Sequence, residues 1–525
     1  VTINNLSDKD IRINSFKSEI LALTEEESAV GDKKEWLLPN IYVETDYAYG
    51  GSSSYESCLD KSVFWVADPD YPTIINYNRI QPSMLVSKPV MGPDERVMPG
   101  KSFTTFRTWI LVNDSWDRER KGLAQRKMYR TIAPWVTENP IFMHLRYSTD
   151  EAVKNAVDQC VATGFEKIIL SFGSGFNVED TSRANLDRYR ELAAYAHSKG
   201  IAIGGYSLLA SRRIGQGNDV VMPEGKTPAF GSSPCLGSDW GLDYFAKLYR
   251  FFEYTGFDNL EHDGSYPGDV CMSQSHPGHE GLEDSQYKQY RIITDFYKWC
   301  RSRGIYLTVP DWYFLNGSSK SAMGYRETNW SLPRYQQEII ERQNIYDGTW
   351  DKSPSMGWMF VPLVEYQGGG AAATIEPLKD HLAHYGQRLA NLFGAGVQAA
   401  YRGPRLYDTT TTLSLVNEWV SFYKKHRMIL DSDIIHVRRP DGSGPDAILH
   451  VNPEAAEKGL LMVYNPLGNA VSTIMKVNVY YTGLDNKVRV TDSKGNEQVL
   501  TTDRNYTISL PVSVEAHSQS WYIMK

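Results

Sequence analysis

The run ANLDRYRELAAYAHSKG (184–200) passes through its closing glycine into IAIGGYS (201–207). The first part carries the pattern of a helix, the second that of a strand without polar alternation. The same unit recurs along the chain. TDEAVKNAVDQCVATGFEKIILSF (149–172) has Ala152, Val153, Ala156, Val157, Cys160 and Val161 on one helical side, Thr149 as N-cap and Gly164 as stop. YFAKLYRFFEYTG (244–256) leads into FDNLEHDG, SQYKQYRIITDFYKWCRSRG (285–304) into IYLTVPDWY, and HYGQRLANLFGAG (384–396) into VQAAYRG.

Helix, glycine and continuous apolar strand, five times over, is the pattern of parallel strands buried on both faces. With IFMHLRY (141–147) as the first strand and SMGWMFVPL (355–363) between the last two units, there are seven strand candidates. They span about 290 residues, the size of a (β/α)8 TIM barrel. A doubly wound sheet is the rival, but no glycine-rich dinucleotide fingerprint follows the first strand.

The flanks are β-rich. Residues 1–135 alternate short strands such as DIRINSF and SFTTFRTWILVND with Gly, Pro, Ser and Asp clusters, and residues 431–525 do the same. The expected molecule is therefore multidomain: an N-terminal β-sandwich (1–135), a central barrel (136–430) and a C-terminal antiparallel β-sandwich (431–525).

Composition narrows the function. A net charge of −8 over 525 residues offers no basic face for nucleic acid. No apolar run approaches the ~20 residues needed to cross a bilayer, so no membrane partner is expected. The 33 Tyr and 13 Trp suit stacking on sugar rings. The five cysteines are spread out and contain no CxxC, unlike a disulfide scaffold or zinc ribbon. A chain beginning at Val1 reads as a mature or trimmed form, and an extracytoplasmic location is expected.

In a barrel the working residues lie just past the C-terminal strand ends. The first strand ends with His144 and Arg146, the fourth with Glu261, His262 and Asp263, and the fifth with Asp311 and Trp312. Glycoside hydrolysis needs two carboxyl groups flanking the scissile bond. Asp263 is the best nucleophile candidate, because Gly264, Pro267 and Gly268 behind it let a ligand come close. Glu261 lies two residues earlier and so points to the same side, where it can orient hydroxyls or raise its neighbour's pKa. Asp311, Glu327, Asp351 and Glu365 all compete for the proton-donor role. Tyr266, Arg326 and His144 are further candidates for the sugar subsite. In GSDWGLDYF (237–245), Asp239 reads as an N-cap and Trp240 as part of a substrate wall.

The order of elements resembles that of the melibiase-type α-galactosidases and the wider clan D of glycoside hydrolases, in which a sandwich, a barrel and a second sandwich follow one another. In that clan the nucleophilic Asp closes the fourth strand within a Lys-aromatic-Asp motif. Glu261-His262-Asp263 stands in that place here, with Glu261 where the clan has Lys, so the resemblance gives Asp263 the nucleophile role. The clan's acid/base Asp comes later, ahead of a helix. Glu327, 64 residues after Asp263 and ahead of SLPRYQQEIIERQNIYDGTW (331–350), is most like it in place. The resemblance implies a retaining, exo-acting enzyme on an α-linked, galactose-like unit of an oligo- or polysaccharide.

CMSQSHPGHEGLED (271–284) holds Cys271, His276, His279, Glu280 and Asp284. Pro277 and Gly278 keep the two histidines off a common helical face, and no second ligand pair is evident. The segment reads as a substrate-lining loop, with no metal or other cofactor expected. Two rivals follow: a non-catalytic carbohydrate-binding protein on the same barrel, and a metal-assisted hydrolase or lyase built on this loop.

Overall fold

The computed structural model describes residues 1–23, 39–70, 74–75, 79–80, 82–321, 332–366 and 369–525. Seven parallel strands lie at its centre: β1 (Phe142–Leu145), β2 (Lys167–Leu170), β3 (Ala202–Leu208), β4 (Asn259–Asp263), β5 (Tyr306–Thr308), β6 (Trp358–Pro362) and β7 (Gln398–Gly403). They pair in the order β5-β4-β3-β2-β1-β7-β6. Around them run α1 (Asp150–Thr163), α2 (Arg183–Ser198), α3 (Asp239–Thr255), α4 (Leu282–Ser302), α5 (Arg334–Gly348), α6 (Leu382–Ala395) and α7 (Thr410–Leu430).

The repeated glycines explain the regularity. Gly164, Gly200, Gly256, Gly304 and Gly396 all adopt φ between 67° and 76°. That left-handed conformation ends a helix with little strain only when no Cβ is present. Each strand then enters a sheet buried on both faces. Leu145, Ile168, Leu170, Ile203, Leu260 and Leu307 face the helices, whereas Phe142, Ile169, Trp358 and Ala400 meet inside the ring.

The ring closes between β5 and β6 through residues 318–321. Ser319 N and Lys320 N donate to Leu307 O, Val309 N donates to Lys320 O, and Ser321 N donates to Met356 O. The buried Lys320 Nζ donates to Asn139 Oδ1, Ser355 O and Gly357 O at 2.8, 2.6 and 3.1 Å. This eighth stave is polar, and it lies directly before residues 322–331, which fall outside the described part.

The flanks are antiparallel. In the N-terminal part Thr2–Asn4 pairs with Ser102–Thr104, Ile11–Ser15 with Pro93–Val97, and Ile41–Thr45 with Thr108–Val112. Helix Arg118–Ile132 lies in a stretch read from sequence as strands and loops. RERKGLAQRKMYRTI has too few apolar residues to show a helical period. Its wholly buried Arg126 reaches Asp433, at the start of the C-terminal sheet, with 3.0 Å between Nε and Oδ1. That sheet has six strands and packs on the ladder of Val471–Asn478 with Thr507–Val514. Strand Gly459–Asn465 is buried on both sides: Leu461 and Val463 face this ladder, while Leu460, Met462 and Tyr464 join the barrel core. A two-pronged ion pair, Arg342 to Asp446 at 2.8 and 2.9 Å, crosses the same junction.

Candidate active site

Strand β4 sorts its residues by parity, as any strand must. Glu261 and Asp263 point into the barrel and His262 points out among the helices. Asp263 closes the strand beneath a cavity of about 220 Å³ at the C-terminal mouth of the ring. Both of its carboxylate oxygens have a donor: Tyr206 Oη gives to Oδ2 at 2.5 Å and Gly264 N to Oδ1 at 2.8 Å. Burial pushes its pKa up; the Tyr206 bond pulls down, and the nearby Glu261 charge pushes up again.

Glu261 lies deeper, opposite His144 of β1. Glu261 Oε2 and His144 Nε2 face each other at 2.8 Å but out of alignment for a hydrogen bond, and both atoms are buried. Two polar atoms held in this way at the edge of a cavity have spare capacity for ligand hydroxyls. Arg402, in register with His144, leans over from β7; its Nη2 donates to Phe172 O at 2.7 Å, and its guanidinium lies 4.4 Å from the Tyr366 ring. Trp358 and Phe360 from β6, with Tyr206, Phe172 and Tyr366, complete an aromatic wall.

Other residues singled out from the sequence lie elsewhere. His262 is fully buried, with Nε2 3.0 Å from Tyr244 Oη and Nδ1 2.8 Å from Tyr297 Oη; burial drives its pKa down to about 3. It is a neutral packing residue and does not reach the cavity. Tyr266 is buried too, donating to Asp269 O at 3.0 Å and packing near Tyr49. Trp312 donates to Glu44 Oε1 at 3.0 Å and so faces the N-terminal region. Trp240 stacks on Tyr244 behind Arg212. Ser238, one residue before Asp239, is the N-cap of α3, accepting from Gly241 N at 3.1 Å. These aromatic residues were assigned to the subsite from their nearness in sequence to strand ends, but side-chain direction decides which face they serve.

Asp311 sits just past β5 and accepts from Ser265 Oγ. Burial raises its pKa to about 6, with the Asp263 charge contributing in the same direction. Asp351 is exposed at the opposite, N-terminal end of the ring, before β6, which removes it as a proton donor. Glu365 is exposed beside Tyr366 at the mouth. Arg326 and Glu327 lie outside the described residues.

Reading the sequence missed Tyr206, Arg402, Trp358 and Phe360. The signal was present in WMFVP, whose aromatic residues stand two apart and so share the inner face. It was present also in the register that sets Tyr206 beside Glu261.

No protein-family model matches the chain, and no curated protein matches it in sequence. Solved structures do match. An α-galactosidase from Lactobacillus brevis superposes with a TM-score of 0.64 at 13% identity, over 100% of this chain and 77% of its own. The fold is that of the clan D, family 36 α-galactosidases. A family 36 enzyme variant from Geobacillus stearothermophilus, solved in complex with stachyose, gives 0.61 at 13% identity, covering 100% of this chain and 76% of its own. An α-amylase from Geobacillus thermoleovorans shares less, 0.50 at 10% identity over 74% of this chain. At these identities the likeness is one of fold.

Proposed function

We propose that the chain is a retaining, exo-acting glycoside hydrolase for an α-linked, galactose-like sugar at the end of an oligo- or polysaccharide. The observation that carries this reading is Asp263, closing β4 under an aromatic-walled cavity and held by Tyr206 and Gly264. Asp263 attacks the anomeric carbon to form a glycosyl-enzyme. Glu327 protonates the leaving oxygen and then takes a proton from water. Glu261, His144 and Arg402 bind ring hydroxyls, and Trp358 with Phe360 packs against the apolar sugar face. A second cavity of about 230 Å³ shares Ser171, Phe172, Tyr206 and Leu208 with the first and suits the leaving-group sugar.

The replacement of the clan's motif Lys by Glu261 changes the hydroxyl pattern that the deep end of the cavity recognises. A panel of aryl α- and β-glycosides with raffinose-type oligosaccharides tests the reading. One α-glycoside should be cleaved with retention, and a 2-fluoro analogue of that sugar should label Asp263. Labelling of another residue, or release of the inverted product, refutes it. The acid/base is identified by azide rescue. Glu327→Gln should regain turnover and yield a glycosyl azide, whereas Asp311→Asn and Glu365→Gln should not.

A further inference from the structure

Away from the cavity, four buried side chains from two loops converge. Cys235 comes from the β3–α3 connection; Cys271, His276 and His279 come from the β4–α4 connection. Their donor atoms all lie within 4.8 Å of one another. Cys235 Sγ is 3.3 Å from His279 Nε2, Cys271 Sγ is 3.5 Å from His276 Nδ1, and the two imidazole nitrogens are 3.3 Å apart.

These three separations match edges of a coordination tetrahedron. Zinc bonds of about 2.3 Å to sulfur and about 2.05 Å to nitrogen, at tetrahedral angles, place nitrogens about 3.3 Å apart and sulfur and nitrogen about 3.5 Å apart. The surroundings agree independently. His276 Nε2 sits 2.7 Å from Gly217 O, which fixes the proton on that nitrogen and turns the Nδ1 lone pair toward the cluster. Val221 N donates to Cys271 Sγ at 3.4 Å, a bond that favours thiolate. The loops touch through glycine: Gly278 N donates to Gly237 O at 2.8 Å, and a Cβ on Gly237 would fall 2.7 Å from the His279 ring.

We propose that Cys235, Cys271, His276 and His279 bind one structural Zn²⁺. Four protein ligands close the coordination sphere, and none of them lines the active-site cavity, so the ion holds structure and does no chemistry on substrate. It staples the loop that leaves β3 to the loop that leaves β4, the strand that ends in Asp263. Residues 271–284 show no second ligand pair in sequence because the fourth ligand, Cys235, lies in a different loop.

The test uses the full chain purified without a metal-affinity step, incubated with zinc alone and desalted. Elemental analysis should give about one zinc per chain, and cobalt exchange should give the visible bands of a tetrahedral thiolate site. Cys235→Ser and His279→Ala should each retain at least about tenfold less zinc, while Cys58→Ser, altered at a buried cysteine outside the cluster, keeps the wild-type content. A chelator should lower the Tm of wild type, and added zinc should restore it. The wild-type measurement is decisive even where a variant fails to fold. Wild type that holds no zinc after this treatment, or a Cys235–Cys271 disulfide in its peptide map, overturns the proposal.

Discussion

Tyr206 and Asp263, from adjacent barrel strands, share a hydrogen bond of 2.5 Å, the tyrosine donating. The bond stabilises the carboxylate that burial disfavours, so in the proposed mechanism it helps set the pH at which Asp263 can attack. Activity should rise as Asp263 ionises. Tyr206→Phe therefore moves the acid limb of kcat/KM to higher pH. Glu261→Gln removes a neighbouring negative charge and moves it to lower pH. A pH–rate profile of the three proteins checks both signs; shifts in the same direction would refute the coupling.

Asp263→Asn keeps the size of the side chain but removes the attacking charge. The expected loss in kcat is on the order of 10⁴-fold, with the thermal midpoint close to that of wild type. A variant that turns over like wild type would make Asp263 a structural acid.

His262 makes the protein sensitive to acid. Its folded pKa of about 3 compares with about 6.5 for a free imidazole. As pH falls through 6.5 the unfolded chain gains a proton that the folded chain refuses until about 3. Stability is therefore lost across that window, by up to about 1.4 kcal/mol per pH unit. Asp311 and Asp431, each raised to about 6, and Glu44, raised to about 7, work in the opposite sense, whereas His450, lowered to about 4, works in the same sense as His262. The difference in Tm between His262→Phe and wild type should therefore shift in the variant's favour as pH falls from 7 to 4.5, whatever its value at pH 7. Parallel curves would disprove the assignment.

Arg342 and Asp446 join α5 to the C-terminal sheet as a buried, two-pronged pair. Arg342→Ala strands a buried carboxylate and should cost about 3–5 kcal/mol. Arg342→Met with Asp446→Leu should recover most of that in urea unfolding. Equal losses from the single and double variants would mean that packing, not charge, holds the junction.

The parts of the fold that the sequence made legible are those made by repetition. Gly164, Gly200, Gly256, Gly304 and Gly396 each announce a helix end and an apolar strand, and that rhythm is enough to predict a barrel. The stave at 318–321 was not legible because Ser-Ser-Lys-Ser has no apolar run; main-chain bonds and polar side chains, Lys320 foremost, hold it. In the candidate site, LEHDG closes β4 at the mouth of the ring, and Asp263 and Glu261 do face the cavity. His262, Tyr266 and Trp312 do not, because sequence proximity carries no direction until parity and neighbouring layers are fixed. The partnership of Cys235 with the 271–279 loop depends on two connections meeting in space, which no local pattern encodes.

The polar stave also bears on how such a barrel changes over evolutionary time. Seven strands interlock with an apolar core, where altering one side chain disturbs many neighbours. The eighth is fully buried and held by directional bonds instead: its main-chain bonds, the three from Lys320, Ser321 Oγ to Pro310 O at 2.9 Å and Arg301 Nη1 to Ser319 Oγ at 3.2 Å. Any substitution there must keep a buried donor and acceptor paired, so this joint should drift by exchange of hydrogen-bond partners and not of apolar volume.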